Sequence, residues 1–497
     1  MIELRDFSFR FAQSQKPALS RINLHIDRHE FVVLTGPSGS GKSTLALAIG
    51  GYLFSQYDGS LEGQVFVEGH DVASTPVYDL AEIVGLVQQN PEGQFCTLTV
   101  EDEIAFGLEN RCLPAEEIDS RIQWALQSVL AEDLRERTLA RLSGGEKQKI
   151  AIAAIMAAKP QILILDEPTS NLDPNATAEI LKVIRSLRQQ DGLTVIVIEH
   201  KLRSLANFHP RLIRLEHGQV VADSLLQKQE TTWALPEGTI VSQTPQPPPV
   251  VQVQHLTLGL GQRAILSDLN FDLCAGELVA LMGDNGSGKS SLLRCLLGLL
   301  RPQSGQITFR GEDIAQARVS CLARQMGFVF QNPDHQLFAA TIGDECSMAA
   351  KNFGLPRSSW ESYAHQLLQD CGLMQRIDDH PYQLSYGEKR RLNLISVLLH
   401  QPKLLLLDEI LIGQDEDNAR FLMDMLRTLT EQGACVLLVN HNPQVTAAYA
   451  TRVLFLERGE LLLDAPTGEA FEYLATSGYA AYTTAGESPW LMMGGTE

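Results

Sequence analysis

Apolar positions in this chain gather into short unbroken runs that stop at glycine or acid. The first half holds Phe31-Val-Val-Leu-Thr35, Ile162-Leu-Ile-Leu165 and Thr194-Val-Ile-Val-Ile198, and the second holds Leu278-Val-Ala-Leu-Met282, Leu404-Leu-Leu-Leu407 and Cys435-Val-Leu-Leu-Val439. Runs of about four to eight apolar residues without alternation suit parallel strands covered on both faces. Longer apolar stretches, Leu45–Phe54, Lys147–Ala158 and Leu292–Leu300, predict helices beside them. The pattern therefore predicts an α/β chain, and it predicts it twice.

The repetition has a measurable offset. Gln89/Gln331, Ser143/Ser385 and Asp166/Asp408 are each separated by 242 positions, His200/His441 by 241 and Lys42/Lys289 by 247. A near-constant spacing across unlike motifs marks duplication of a whole domain. A chain of 497 residues also exceeds one ordinary core. The predicted domains are residues 1–228 and 250–475, joined by a Pro-rich linker at 229–249 and followed by a loosely held tail at 476–497. Ser242–Val250, SQTPQPPPV, carries the linker character, since it can continue neither a helix nor a central strand.

Each half opens its chemistry with G-x-x-x-x-G-K-[ST] between a predicted strand and a predicted helix. The first copy is Gly36-Pro37-Ser38-Gly39-Ser40-Gly41-Lys42-Ser43-Thr44. The second is Gly283-Asp284-Asn285-Gly286-Ser287-Gly288-Lys289-Ser290-Ser291. Glycines at these places let successive backbone N–H groups turn onto phosphate at a helix N-terminus. Lys42 and Lys289 are expected on the β and γ phosphates, with Ser43 and Ser290 on Mg²⁺. Two nucleoside triphosphates are thus expected per chain.

Further on, each half has an apolar strand ending in two acids, Asp166-Glu167 and Asp408-Glu409. At the C-terminal end of a parallel strand, Asp166 and Asp408 are placed to orient Mg²⁺, and Glu167 and Glu409 to polarise an attacking water. His200 and His441 each follow another apolar strand and are candidates to hold that water and the γ-phosphate in line.

Between the loop and the acids lies Leu142-Ser143-Gly144-Gly145-Glu146, directly before the predicted helix. At this point the chain resembles the ABC-transporter ATPase family over nearly its whole length. The resemblance implies tandem P-loop cassettes, each a RecA-like parallel-sheet core with an antiparallel β subdomain and a helical signature subdomain. It implies ATP hydrolysis with Mg²⁺, glutamine loops at Gln89 and Gln331 contacting the metal, and cassettes paired head to tail within one chain. Each nucleotide would then lie between one cassette's loop and the other's signature, Ser143-Gly144-Gly145 or Ser385 with Gly387. The wording after each glutamine, Gln89-Asn-Pro-Glu-Gly-Gln94-Phe95 and Gln331-Asn-Pro-Asp-His-Gln336-Leu337, is similar to energy-coupling-factor (ECF) importers of vitamins, cobalt and nickel. That implies a T-type membrane subunit and a substrate-binding membrane subunit as partners, with this chain peripheral on the cytoplasmic face of the cell membrane. A tandem ATPase acting on ribosomes and a duplicated sugar-importer ATPase are the alternatives.

Composition narrows the partners. A net charge of −20, with no Lys/Arg-rich run, is a poor match to nucleic acid. Eight cysteines without a C-x-x-C pair disfavour a zinc or iron–sulfur site. No apolar run reaches the ~18–20 residues needed to span a bilayer.

The halves also differ. Tyr386 stands where the first signature glycine belongs, which predicts a bulky side chain against the phosphate of the first site. DEPTSNLD at Asp166–Asp173 becomes DEILIGQD at Asp408–Asp415. Phe11 is suitably placed to stack on adenine, whereas Leu260 aligns with it in the second half.

Overall fold

The computed structural model describes residues 1–12, 14, 16–170, 172–188, 192–199, 202–205, 208–225, 249–260 and 263–484; the side chains of 203, 204, 260 and 263 are also outside the description. Most of the Pro-rich linker and His200 therefore lie outside the described residues. The chain divides into two compact units, Met1–Glu230 and Thr231–Glu497.

Among the described residues, each unit carries a six-stranded and a four-stranded sheet. In the first unit the larger sheet runs in the order Gln219–Leu225, Arg211–Glu216, Phe31–Thr35, Thr194–Ile198, Ile162–Asp166, Val84–Val87. All neighbours are parallel except the first pair. The second unit repeats this order with Glu460–Pro466, Arg452–Glu457, Leu278–Met282, Cys435–Val439, Leu404–Asp408 and Met326–Val329. The four-stranded sheets, Leu19–Ile26, Ile2–Phe11, Gly59–Val67, His70–Asp71 and their counterparts between Pro249 and Asp313, are antiparallel.

The apolar runs are strands because both their faces are covered. Along Ile162–Asp166, Ile162 and Ile164 join the core beneath the antiparallel sheet, while Leu163 and Leu165 join the core of the helical side. Leu404–Asp408 divides its leucines in the same way. With side chains alternating across a strand and apolar packing on both faces, no polar position is tolerated until the strand end. There the acids begin.

Three expectations change. The stretch Leu45–Phe54 is not one helix but two, Lys42–Ile49 and Tyr52–Gln56, broken at Gly51, whose φ is +78°. The tail is not loose as far as Thr484. After the helix Thr467–Thr476 the chain turns at Ala480–Tyr482, and Tyr482 is fully buried with its ring edge-on to Phe455. Two tyrosines, Tyr479 and Tyr482, pack on Phe455 and give this Gly- and Ser-containing segment the apolar area to dock. Pro249, expected in the linker, pairs with Cys274 and opens the second unit's antiparallel sheet.

Candidate functional site

Both phosphate loops sit where a central parallel strand hands over to a helix. Phe31–Thr35 leads into Gly36-Pro37-Ser38-Gly39-Ser40-Gly41, and the helix starts at Lys42 with Ser43 and Thr44. Leu278–Met282 leads into Gly283-Asp284-Asn285-Gly286-Ser287-Gly288, and Lys289, Ser290 and Ser291 open the next helix. The sharp turn is possible only without a side chain: a Cβ at Gly36 or Gly283 would lie 2.0 Å from the carbonyl oxygen of Leu215 or Leu456, at φ of +140° and +136°.

The lysines are buried, each 6% exposed, and their ammonium groups donate to their own loop. Lys42 Nζ lies 2.8 and 2.9 Å from the carbonyls of Gly36 and Pro37, and Lys289 Nζ lies 2.8 and 2.7 Å from those of Gly283 and Asp284. The hydroxyls of Ser40 and Ser287 are buried in the loops with no hydrogen-bond partner among the described residues. Orphaned polar groups in a glycine cradle fit a polyoxyanion, because it supplies the acceptors they lack. The Ser290 hydroxyl bonds to the Asp408 carboxylate. A hydroxyl beside a carboxylate is the hard oxygen donor set that suits Mg²⁺.

Glu167 and Glu409, each one residue past its strand, have left-handed backbones at φ +47° and +54°. Such a conformation costs a non-glycine residue about 1–3 kcal/mol, and its recurrence at both sites marks a position held for its side-chain direction. The Gln89 amide donates to Glu167 Oε2 at 2.7 Å and the Gln331 amide to Glu409 Oε2 at 2.8 Å. Each glutamine loop therefore grips the carboxylate expected to act as base.

In the second unit His441 Nε2 is 3.0 Å from Glu409 Oε1. Burial pushes the Glu409 carboxyl up, but the hydrogen bond and charge of His441, the Lys289 charge and the Gln331 amide together hold it below its usual value. Burial, and next the adjacent Glu409 charge, raise Asp408. The two adjacent carboxyls are thus shifted in opposite directions by their different partners.

Ser143 caps the helix Gly144–Met156 and Ser385 caps Tyr386–Leu398, each in a reciprocal capping box with Glu146 or Glu388. The helix N-termini carrying Gly144-Gly145 and Gly387 are thus formed alike. Tyr386 does not extend forward from its helix as the sequence suggests. Its ring folds back within its own unit, against Gly413 and over the guanidinium of Arg390 at 4.8 Å. Gln414 of the altered DEILIGQD loop donates to the Gly387 carbonyl at 3.0 Å and accepts from Arg391 at 3.2 Å. In the first unit Asp173 caps the helix Pro174–Arg188 through the Ala176 amide at 2.8 Å.

The second glutamine of each QNPxxQ loop is a clamp that sequence reading did not find. Gln94 accepts from the Gln88 amide at 3.0 Å and donates to the Leu86 carbonyl at 3.1 Å, while Gln336 donates to the Asn393 carbonyl at 3.3 Å. Lys147 pairs with Glu92, and Lys389 pairs with Asp334 at 2.8 Å, so both acids are tied to a signature helix. Also unanticipated is the Tyr482 hydroxyl, which donates to the Asp284 carboxylate in the second phosphate loop. Phe11 is half-buried, edge-on to Phe9 and Tyr57 at 4.9 and 5.8 Å. Leu260 ends the matching strand.

A strand–glycine loop–helix junction with a buried lysine, followed by a paired Asp-Glu strand end, defines a P-loop ATPase, present here in two copies. The family described as ABC transporter matches residues 19–170 and 266–411. The chain belongs to that family and is a tandem ATPase that hydrolyses ATP to ADP and phosphate, coupled to transport. It is 36% identical to the "Putative HMP/thiamine import ATP-binding protein YkoD" of Bacillus subtilis, over 95% of this chain and 92% of that one. It is 34% identical to a "Putative ABC transporter ATP-binding protein" of Methanosarcina acetivorans, over 95% and 86%. Among solved structures, cbiO1 from Clostridium perfringens, part of the ABC transporter complex cbiONQ, is 27% identical with a TM-score of 0.42, over 47% of this chain and 98% of that one.

Proposed function

We propose that this chain is the ATPase subunit of an ECF-type importer, peripheral on the cytoplasmic face of the cell membrane, that drives uptake of a vitamin-class solute. The reading is carried by the two QNPxxQ loops and the apolar side chains beside them. Leu98 is 82% exposed and Phe338 75% exposed, each just past its clamped glutamine loop, and Phe106 is exposed on the helix that follows Leu98. Large apolar side chains held out on an ordered loop suit a helix-bearing membrane partner. No helix among the described residues is long and apolar enough to cross a membrane. In this reading other subunits supply the translocation path. The import role and thiamine-related solute in the printed name of the Bacillus subtilis relative support the solute class.

In this reading the cassettes close head to tail on two ATP molecules. Ser43, Gln89 and Asp166 at the first site, and Ser290, Gln331 and Asp408 at the second, would hold Mg²⁺. Bound Mg²⁺ supplies positive charge that offsets the phosphates. Glu167 and Glu409 orient and deprotonate water, aided by His200 and His441.

Expression with the native neighbouring membrane proteins, followed by purification through a tag on this chain, tests the proposal. Co-isolation of a T-type and a small solute-binding membrane subunit is expected. Recovery with ribosomes, or with a sugar permease, would overturn it.

A further inference from the structure

The fold-back of Tyr386 is one half of a paired departure. At the positions of Tyr386 and Arg390 the first unit has Gly144 and Gln148. Arg390 is 1% exposed, the largest fully buried side chain of the described residues. Taking a guanidinium out of water is costly unless it is paired, a penalty the neutral Gln148 avoids.

Its partners explain why it is held. Arg390 donates to the backbone carbonyl of Glu409, to that of Gln331 at 2.7 Å and to the Tyr386 hydroxyl at 2.9 Å. The Tyr386 hydroxyl in turn donates to the Gln331 carbonyl at 3.3 Å. One turn on, Asn393 donates to the Pro333 carbonyl at 2.9 Å. The signature helix thus reaches the backbone of both the glutamine loop and the base-bearing residue, whose side chains themselves bond at 2.8 Å. In the first unit the Gln148 amide nitrogen is buried with no partner among the described residues.

We propose that Tyr386 and Arg390 act as one positioning pair, which fixes Gln331 and Glu409 of the second site from the signature helix of the same cassette. The proposal rests on Glu409 being the base of that site. Tyr386 holds the guanidinium and shares its acceptor. A glycine there would leave a buried charge with one partner fewer, and a glutamine at position 390 is shorter and carries both its donors on one nitrogen, whereas the guanidinium reaches the two carbonyls through two separate nitrogens.

The test uses the full chain and four variants: Tyr386→Phe, Tyr386→Gly, Arg390→Gln, and the last two combined, which restores the first unit's pair. Single-turnover hydrolysis, ATP affinity and backbone hydrogen exchange over 330–334 and 409–413 are measured on each. Tyr386→Phe keeps the ring, so a loss of about two- to fivefold in rate with unchanged ATP affinity is expected. Arg390→Gln should lose about tenfold or more, with faster exchange in both segments. The combined variant should lose at least about threefold less than the product of the two single losses.

If Arg390→Gln fails to fold, Tyr386→Phe and its exchange pattern decide. Wild-type rate and exchange in Tyr386→Phe would overturn the proposal, as would losses that multiply in the combined variant or follow ATP affinity alone. Glu409→Gln is the control. If it hydrolyses ATP at the wild-type single-turnover rate, the assignment of the base has failed and not the pair.

Discussion

The two cassettes have the same strand order, the same capping boxes and the same left-handed glutamates, yet their catalytic groups are packed differently. Asp166 and Glu167 are half-buried, whereas Asp408 and Glu409 are 5% and 7% exposed. Thr169 donates to Glu199 in a buried contact of 2.6 Å; the matching Leu411 and Asn440 cannot repeat it, and Asn440 bonds instead to Asn442 and Thr446. A duplicated site can thus keep the same strand-end acids while changing what holds them still. Asymmetry between the cassettes lies in the supports.

The sharpest way to break this comparison is to remove each base in turn. Glu409→Gln should lower steady-state turnover by about 10²–10⁴-fold at saturating ATP, and Glu167→Gln should leave a larger remainder. Both are measured in the complex with the membrane partner. The expectation follows from the second site, where Gln331 and His441 both hold the buried Glu409 carboxylate, at 2.8 and 3.0 Å. Equal losses would show strictly coupled sites, and the reverse ranking would place the active base in the first cassette.

Next in size are the lysines. Lys42→Ala and Lys289→Ala should each weaken one ATP site by about 10–100-fold, the range for losing hydrogen bonds from a buried charge. Titration with Mg²⁺ present should count two sites in the wild type and none of normal affinity in the double variant. Two sites of undiminished affinity would show that these loops do not hold phosphate.

Docking offers a third contrast, because the most exposed large apolar residue is Leu98 among the described residues of one cassette and Phe338 among those of the other. Each of Leu98→Asp and Phe338→Asp should weaken the membrane complex by about tenfold or more, as expected when ~1.5–3 kcal/mol of apolar burial is lost. ATP binding by the isolated chain should not change. Charge reversal at Glu92 or Asp334 is a poorer probe, since it also breaks an ion pair within the cassette. An intact complex with both apolar residues replaced would remove this surface from the interface.

The smallest expected effect belongs to a contact described only in the second unit. Tyr482→Phe removes the hydroxyl bond to Asp284 and should weaken ATP binding at Lys289 by about two- to fivefold, leaving the Lys42 site as it was. Calorimetric titration of the Lys42→Ala and Lys289→Ala proteins, each with and without Tyr482→Phe, separates the sites. An equal change at both would mean that Tyr482 acts through general stability.

The duplication, the phosphate loops, the strand-end acids and the signature serines are legible in the order of residues alone. Each is a short local pattern whose backbone chemistry leaves few alternatives: glycine where a Cβ would strike a carbonyl, an unbroken apolar run where both sheet faces are covered, and an acid where that cover ends. Only the tertiary structure decided where Tyr386 points, what Arg390 holds, how Gln94 and Gln336 clamp their loops and that the chain near Tyr482 packs on a phosphate loop. These contacts join residues far apart in the chain, and nothing in the local pattern specifies their partners. The one signal was that Tyr386 and Arg390, four residues apart on one helix, both depart from their counterparts Gly144 and Gln148. Four residues is one helical turn, but whether two changed side chains meet, and what they then reach, depends on the surface that the rest of the fold brings against them.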